Sequence, residues 1–95
     1  MRKTVLDFGS TSTESLFAGV CPNIFRSFRT LAERKLQMLD SATNVQDLSS
    51  PPGNRLEKLR GDRSESWSIR INNQWRICFG WRNGEALNVE IVDYH

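Results

Sequence analysis

The sequence predicts an α+β domain with N-terminal helices packed on one face of a twisted antiparallel sheet. Three observations carry this. One strongly amphipathic helical stretch lies before residue 50, the hydrophobic period shortens to two after residue 54, and Pro51-Pro52-Gly53-Asn54 marks the change. A helical stripe and the apolar faces of strands each need a partner to bury against, and here each supplies the other's.

At 95 residues the chain is expected to form a single domain, 1–95. Apolar residues make up 38% and charged residues 25%, the balance of a folded domain rather than a disordered one. No apolar run approaches the roughly 18 residues that a membrane helix needs. The start, Met1 to Phe8, is basic but lacks the apolar stretch of a secretory signal, so a cytoplasmic protein without a membrane partner is expected. Cys21 and Cys78 stand far apart and read as reduced thiols. With a single His, a zinc site is not expected, and no cofactor is implied.

Arg2 to Phe8 suits a short first strand. Ser10 to Glu14 offers helix caps ahead of Leu16, Phe17 and Ala18, with Gly19 as the stop. Pro22-Asn23 opens the main helix, expected to run unbroken to about Ala42, with Phe25, Phe28, Ala32, Leu36 and Leu39 as its buried stripe. Arg26, Arg29, Arg34 and Lys35 are then a solvated face. Thr43 to Gln46 has capping-box form, introducing a short turn through Leu48.

Beyond Asn54 the residues alternate. Trp67, Ile69 and Ile71 form one apolar face, continued by Trp75, Ile77, Phe79 and Trp81, then by Leu87, Val89 and Ile91. Arg55 to Leu59 is a weaker fourth strand. For Ile71 and Trp75 to share a face, their loop must hold an odd number of residues, and Asn72-Asn73-Gln74 fits. That register sets Ile69 against Ile77 and Arg70 against Arg76. A five-residue loop from Arg82 to Ala86 would pair Trp81 with Leu87 and Phe79 with Val89, bringing Val92 beside Arg76.

Arg70 against Arg76 carries the functional expectation. Like charges directly opposed across a sheet cost stability, so the pair is read as a two-guanidinium clamp for phosphate, a group that guanidinium forks match well. Arg55, Lys58, Arg60 and Arg63 lie in the same stretch, against Glu57, Asp62 and Glu65. A phosphate or an RNA backbone is the ligand expected on such a face.

The blocks Pro51 to Arg63, Trp67-Ser68-Ile69-Arg70, Asn73 to Phe79 and Val89 to His95, in this order, resemble the HigB killer proteins of plasmid-maintenance toxin–antitoxin systems, within the RelE superfamily. Ala32 to Leu36 and Met38-Leu39-Asp40 are similar too. The resemblance implies a RelE-like (microbial ribonuclease-like) fold and an endoribonuclease, or mRNA interferase, that cuts messenger RNA in the ribosomal A site beside ribosomal RNA. It implies a HigA-like helix-turn-helix antitoxin, with operator DNA bound only through that partner. It also implies catalytic roles for Arg60, Arg76, Asp93, Tyr94 and His95. The group commonly carries His at the position of Glu57, which is this chain's clearest departure.

RNA cleavage by attack of its own 2′-hydroxyl needs a base, an acid for the leaving 5′-oxygen and cations for the pentavalent phosphate, but no metal. Arg60, Arg70 and Arg76 suit the cationic role, with Lys58 and Arg63 as further phosphate contacts. His95 exchanges protons near neutral pH and suits the acid. Asp93 or Glu57 is left as base or as orienting group, and Tyr94 as a stacking or hydrogen-bonding partner. Glu57 is expected to be a weak base whose charge opposes the phosphate unless Lys58 or Arg60 offsets it, so Glu57→Gln should cost little. The alternatives kept open are Glu57 as the essential base, a non-catalytic RNA- or ribosome-binding module, and an autoregulatory or gyrase-directed relative.

Overall fold

A computed structural model describes residues 8–59 and 66–93. Helix α1 spans Thr11–Phe17 and α2 spans Arg29–Ser41, and both lie on one face of a four-stranded antiparallel sheet. The strands are β1 (Glu57–Lys58), β2 (Ser66–Arg70), β3 (Trp75–Arg82) and β4 (Glu85–Asp93), ordered β1-β2-β3-β4. Of the expected first strand only Phe8 falls within the described residues, where it bridges Val89 in parallel.

Helix α1 starts and stops as its residues dictate. The Ser10 side chain accepts from the Thr13 amide, and Gly19 adopts φ 101° so that the Val20 amide reaches the Ser15 carbonyl. Thr13, fully buried, accepts the Ile91 amide on its Oγ1 at 3.0 Å and so ties the helix to β4.

The main helix is not one continuous α-helix. Asn23–Phe28 forms 3-10 turns, and the α-helix begins only at Arg29. A 3-10 turn eclipses residues three apart. Phe25 and Phe28 therefore stack in line, and both reach the Trp75 ring, at 5.8 and 5.3 Å between centroids. The expected stripe of Phe25, Phe28, Ala32, Leu36 and Leu39 is buried as a whole. Lys35 is buried with it, contrary to the solvated face expected, because it lies three residues after Ala32 on the same side of α2. The next turn is capped one residue later than the sequence pattern suggests. Asn44 and Asp47, not Thr43 and Gln46, form the capping box.

The first hairpin has the expected register, with Ile69 opposite Ile77 and Arg70 opposite Arg76. The second corrects the expectation. Asn83 (φ 54°) and Gly84 (φ 77°) form a two-residue turn, so the strands run on to Arg82 and Glu85 instead of opening into a five-residue loop. Two successive positive φ angles are what an Asn-Gly turn supplies at low strain. A bulge then restores the phase, because two β4 residues, Asn88 and Val89, face Phe79 between the Cys78–Glu90 and Gly80–Leu87 pairs. Asn88 takes the left-handed conformation there, at φ 53°. Ala86 consequently fills the core in place of Leu87, while Ile77–Ile91 and Arg76–Val92 pair as they would without either change.

Candidate active site on the helix-free sheet face

With Ile69, Ile77, Val89 and Ile91 buried under the helices, their alternating neighbours occupy the other face. One row across the sheet reads Glu57, Ser68, Cys78 and Glu90, and the adjacent row reads Arg70, Arg76 and Val92. Arg76 sits where these rows meet and is only 8% exposed. Its Nε donates to Ser68 Oγ at 2.9 Å, and its Nη2 donates to the Arg55 carbonyl at 2.8 Å and lies 3.2 Å from Glu57 Oε1. Burying a guanidinium is costly unless it is paired and hydrogen-bonded, and these three partners meet that need. The Glu57 carboxylate keeps 56% of its side-chain surface in solvent. One oxygen is thus anchored to Arg76 while the group stays open to a ligand.

The Arg55 carbonyl reaches Arg76 because Arg55 itself is left-handed, at φ 45° and ψ 57°. The segment before it is held by Asn54, which is fully buried. The Asn54 amide donates to the Leu48 carbonyl at 3.1 Å and the Ser50 carbonyl at 3.4 Å, and its Oδ1 accepts from Lys35 Nζ. Burial lowers the pKa of Lys35 from its ordinary value, and the charges of Arg34 and Arg70 push the same way.

The expected clamp of two guanidinium groups takes a different form. Arg70 and Arg76 are directly opposed as the register requires, but each leans to its own acceptors. Arg70 Nη2 donates to Asn73 Oδ1 in the hairpin loop, while Arg76 turns toward Ser68 and β1. Like-charge repulsion is relieved in this way, leaving one buried cation and one half-buried cation on the same face. Arg70→Ala should keep the fold, with a melting temperature within a few degrees of wild type or slightly above it. The expectation of a phosphate clamp further requires that it weaken RNA binding about tenfold. Thermal unfolding and filter binding read the two effects, and a drop of 10 °C or more would make Arg70 a structural residue instead.

Two expected site residues lie on the other face. Lys58 pairs with Trp67, and its ammonium stands 5.7 Å from that ring centroid as a cation–π contact. Asp93 pairs with Trp75 and accepts a hydrogen bond from Gln74 Nε2 at 3.1 Å. The structure therefore brings Glu57, Arg70 and Arg76 together and separates Lys58 and Asp93 from them. Arg60, Arg63, Tyr94 and His95 lie outside the described residues. Ser68, Lys35, Asn54 and the Arg55 carbonyl were missed in the sequence. Only Ser68 had a signal there, its parity with Arg70 and Arg76.

A family model described as the RelE-like toxin of the type II toxin-antitoxin system HigB matches residues 19–95. Over 55 residues the chain is 51% identical to Toxin HigB-1 of Vibrio cholerae serotype O1 (strain ATCC 39315 / El Tor Inaba N16961), covering 58% of this chain and 58% of that protein. Over 61 residues it is 39% identical to Endoribonuclease HigB of Proteus vulgaris, covering 64% of this chain and 65% of that protein. The matched stretch thus spans less than two thirds of either relative. Among solved structures, the YoeB dimer from Staphylococcus aureus superposes with a TM-score of 0.56 over 99% of each chain, at 15% identity. YoeB in its heterotetrameric complex with YefM, from the same organism, gives 0.57, again at 15% identity and 99% of each chain. At that identity the likeness speaks for the fold alone. Sequence family and fold agree, and the chain belongs to the RelE-like toxins of the HigB type II toxin–antitoxin systems.

Proposed function

We propose that the chain is the toxin of a type II toxin–antitoxin pair, an endoribonuclease that cuts messenger RNA in the ribosomal A site and is neutralised by a HigA-like helix-turn-helix antitoxin. Ribosomal RNA is its second nucleic-acid contact, operator DNA is met only through the antitoxin, and the protein acts in the cytoplasm. Cleavage proceeds by attack of the 2′-hydroxyl on the neighbouring phosphate, without a metal. The observation that carries this reading is the buried Arg76 guanidinium, fixed against an exposed carboxylate on the helix-free sheet face.

Arg76 stabilises the negative charge that develops on the phosphate, and its fixed geometry spares reorganisation during the reaction. Glu57 accepts the 2′-hydroxyl proton, its own charge offset by Arg76 at 3.2 Å. Arg70 adds a second cation along the strand. Outside the described residues, Arg60 and Arg63 join as phosphate contacts, His95 serves as the acid for the leaving oxygen, and Tyr94 stacks on a base. Lys58 and Asp93 stand on the far face and take no part in this chemistry.

The described surface beside the row is shallow. The cleft lined by Ser66, Cys78, Asn88 and Glu90 encloses about 20 Å³, too little for a nucleobase. On this reading the ribosome supplies the orientation of the substrate. Ribosome-bound messenger should be cut at least 100-fold faster than the same messenger free in solution. Mapping 5′ ends in both settings tests this, and equal rates would sink the ribosome-dependent reading. No helix among the described residues is long and apolar enough to cross a membrane.

A further inference from the structure

We propose that Lys35, on the helical layer, is a positioning residue for Arg76 on the opposite side of the sheet. The inference rests on the reading of Arg76 as a phosphate-stabilising cation. Lys35 is an unusual buried residue, a cation on an apolar stripe between Ala32, Leu36 and Leu39, only 7% exposed. A methionine or leucine would pack there at no electrostatic cost, whereas an ammonium loses hydration on burial. Its ammonium donates to the side-chain oxygen of Asn54, itself without solvent exposure.

What Asn54 does next gives the lysine its purpose. Its amide holds the carbonyls of Leu48 and Ser50, adding to the backbone bonds from Asn54 to Pro51 and from Arg55 to Pro52 that close the turn. Asn54 is joined directly to Arg55, whose left-handed backbone turns its carbonyl onto Arg76 Nη2 at 2.8 Å. A non-glycine residue in that conformation is strained, and it persists only where its surroundings hold it. A line of contacts thus runs from the Lys35 ammonium through Asn54 and the Arg55 carbonyl to the Arg76 guanidinium. Burial lowers the pKa of Lys35, and the charges of Arg34 and Arg70 push the same way, so the amine is held there against an electrostatic cost.

The consequence is a coupling between a helix residue and the site. Without Lys35, Asn54 has no donor on its oxygen, the Arg55 carbonyl is released, and Arg76 loses its aim at the phosphate while keeping its charge. The test is a double-mutant cycle on cleavage of ribosome-bound messenger in single turnover. Lys35→Met, which keeps volume and removes charge, should lower the cleavage rate at saturating ribosomes by tenfold or more, with little change in half-saturating concentration. In an Arg76→Ala background the same substitution should change the rate less than twofold. Equal losses in both backgrounds would overturn the inference and make Lys35 a purely structural residue. No loss from Arg76→Ala itself would instead overturn the reading of Arg76, a distinct outcome. The amide spectrum also reports: the Arg76 Nε–H resonance should be protected from exchange in wild type and exposed in Lys35→Met, and unchanged protection would refute the coupling. If Lys35→Met does not fold, Asn54→Asp keeps the acceptor for Lys35 but removes both amide donors, and the same cycle applies to it.

Discussion

Arg76→Ala should reduce cleavage of ribosome-bound messenger by two to three orders of magnitude, the usual effect of removing one preorganised group that stabilises transition-state charge. It should also destabilise the fold. The substitution leaves the Arg55 carbonyl and the buried Ser68 hydroxyl without their donor, a cost of about 1–3 kcal/mol. Glu57 adds little to that cost, because its freed carboxylate faces water. Arg76→Lys separates the two effects. It keeps the positive charge but cannot hold Ser68, the carbonyl and Glu57 at once with a planar fork, so most of the stability should return while cleavage stays more than tenfold down. Urea unfolding alongside single-turnover rates reads both. A folded Arg76→Ala protein with wild-type rate would remove the guanidinium from the chemistry.

Glu57→Gln should lower the single-turnover rate by two orders of magnitude or more with the fold intact, as expected when a general base is lost. The sequence alone argues for a small effect, since an ordinary carboxylate is a weak base and its charge opposes phosphate unless Lys58 or Arg60 offsets it. Lys58 is on the far face, yet the offset exists, supplied by Arg76 at 3.2 Å. The amide of Gln keeps the shape and one hydrogen-bonding oxygen but cannot take a proton at neutral pH. Because the Glu57 side chain is more than half exposed, the change in stability should be about 1 kcal/mol at most. Glu57→His should retain much of the rate. A wild-type rate for Glu57→Gln would move the base elsewhere, with His95 the next residue to substitute.

The parts of the fold set by local period were legible. Strand alternation and an odd-length loop were enough to place Arg70 against Arg76, and the helical stripe gave the buried residues of α2. What escaped were features set by one residue's backbone conformation or by contacts far apart in sequence. Asn83-Gly84 was visible as a turn, but its two-residue length could not be told from a longer loop without knowing that Asn88 would bulge. The burial of Arg76 was hidden because one of its partners is a main-chain carbonyl, which no side-chain pattern records. Lys35 looked like one more surface cation because its acceptor lies 19 positions away, beyond two prolines. Family resemblance added the roles, while the face each residue occupies came only from the register.

The bulge at Asn88 divides the second hairpin into two segments that need not answer to each other. On the tip side Ala86 points inward, and on the far side Val89 and Ile91 do, with one extra residue in β4 absorbing the difference. Such a joint works as a slip coupling. A residue gained or lost at the tip can be taken up by the bulge vanishing or widening, instead of inverting every side chain along the strand. Removing Asn88 while leaving the turn alone withdraws that protection. Either the tip rearranges to a longer loop or Arg76 faces a different neighbour on β4, which makes the least conspicuous residue of the hairpin the one that isolates the site from changes at its end.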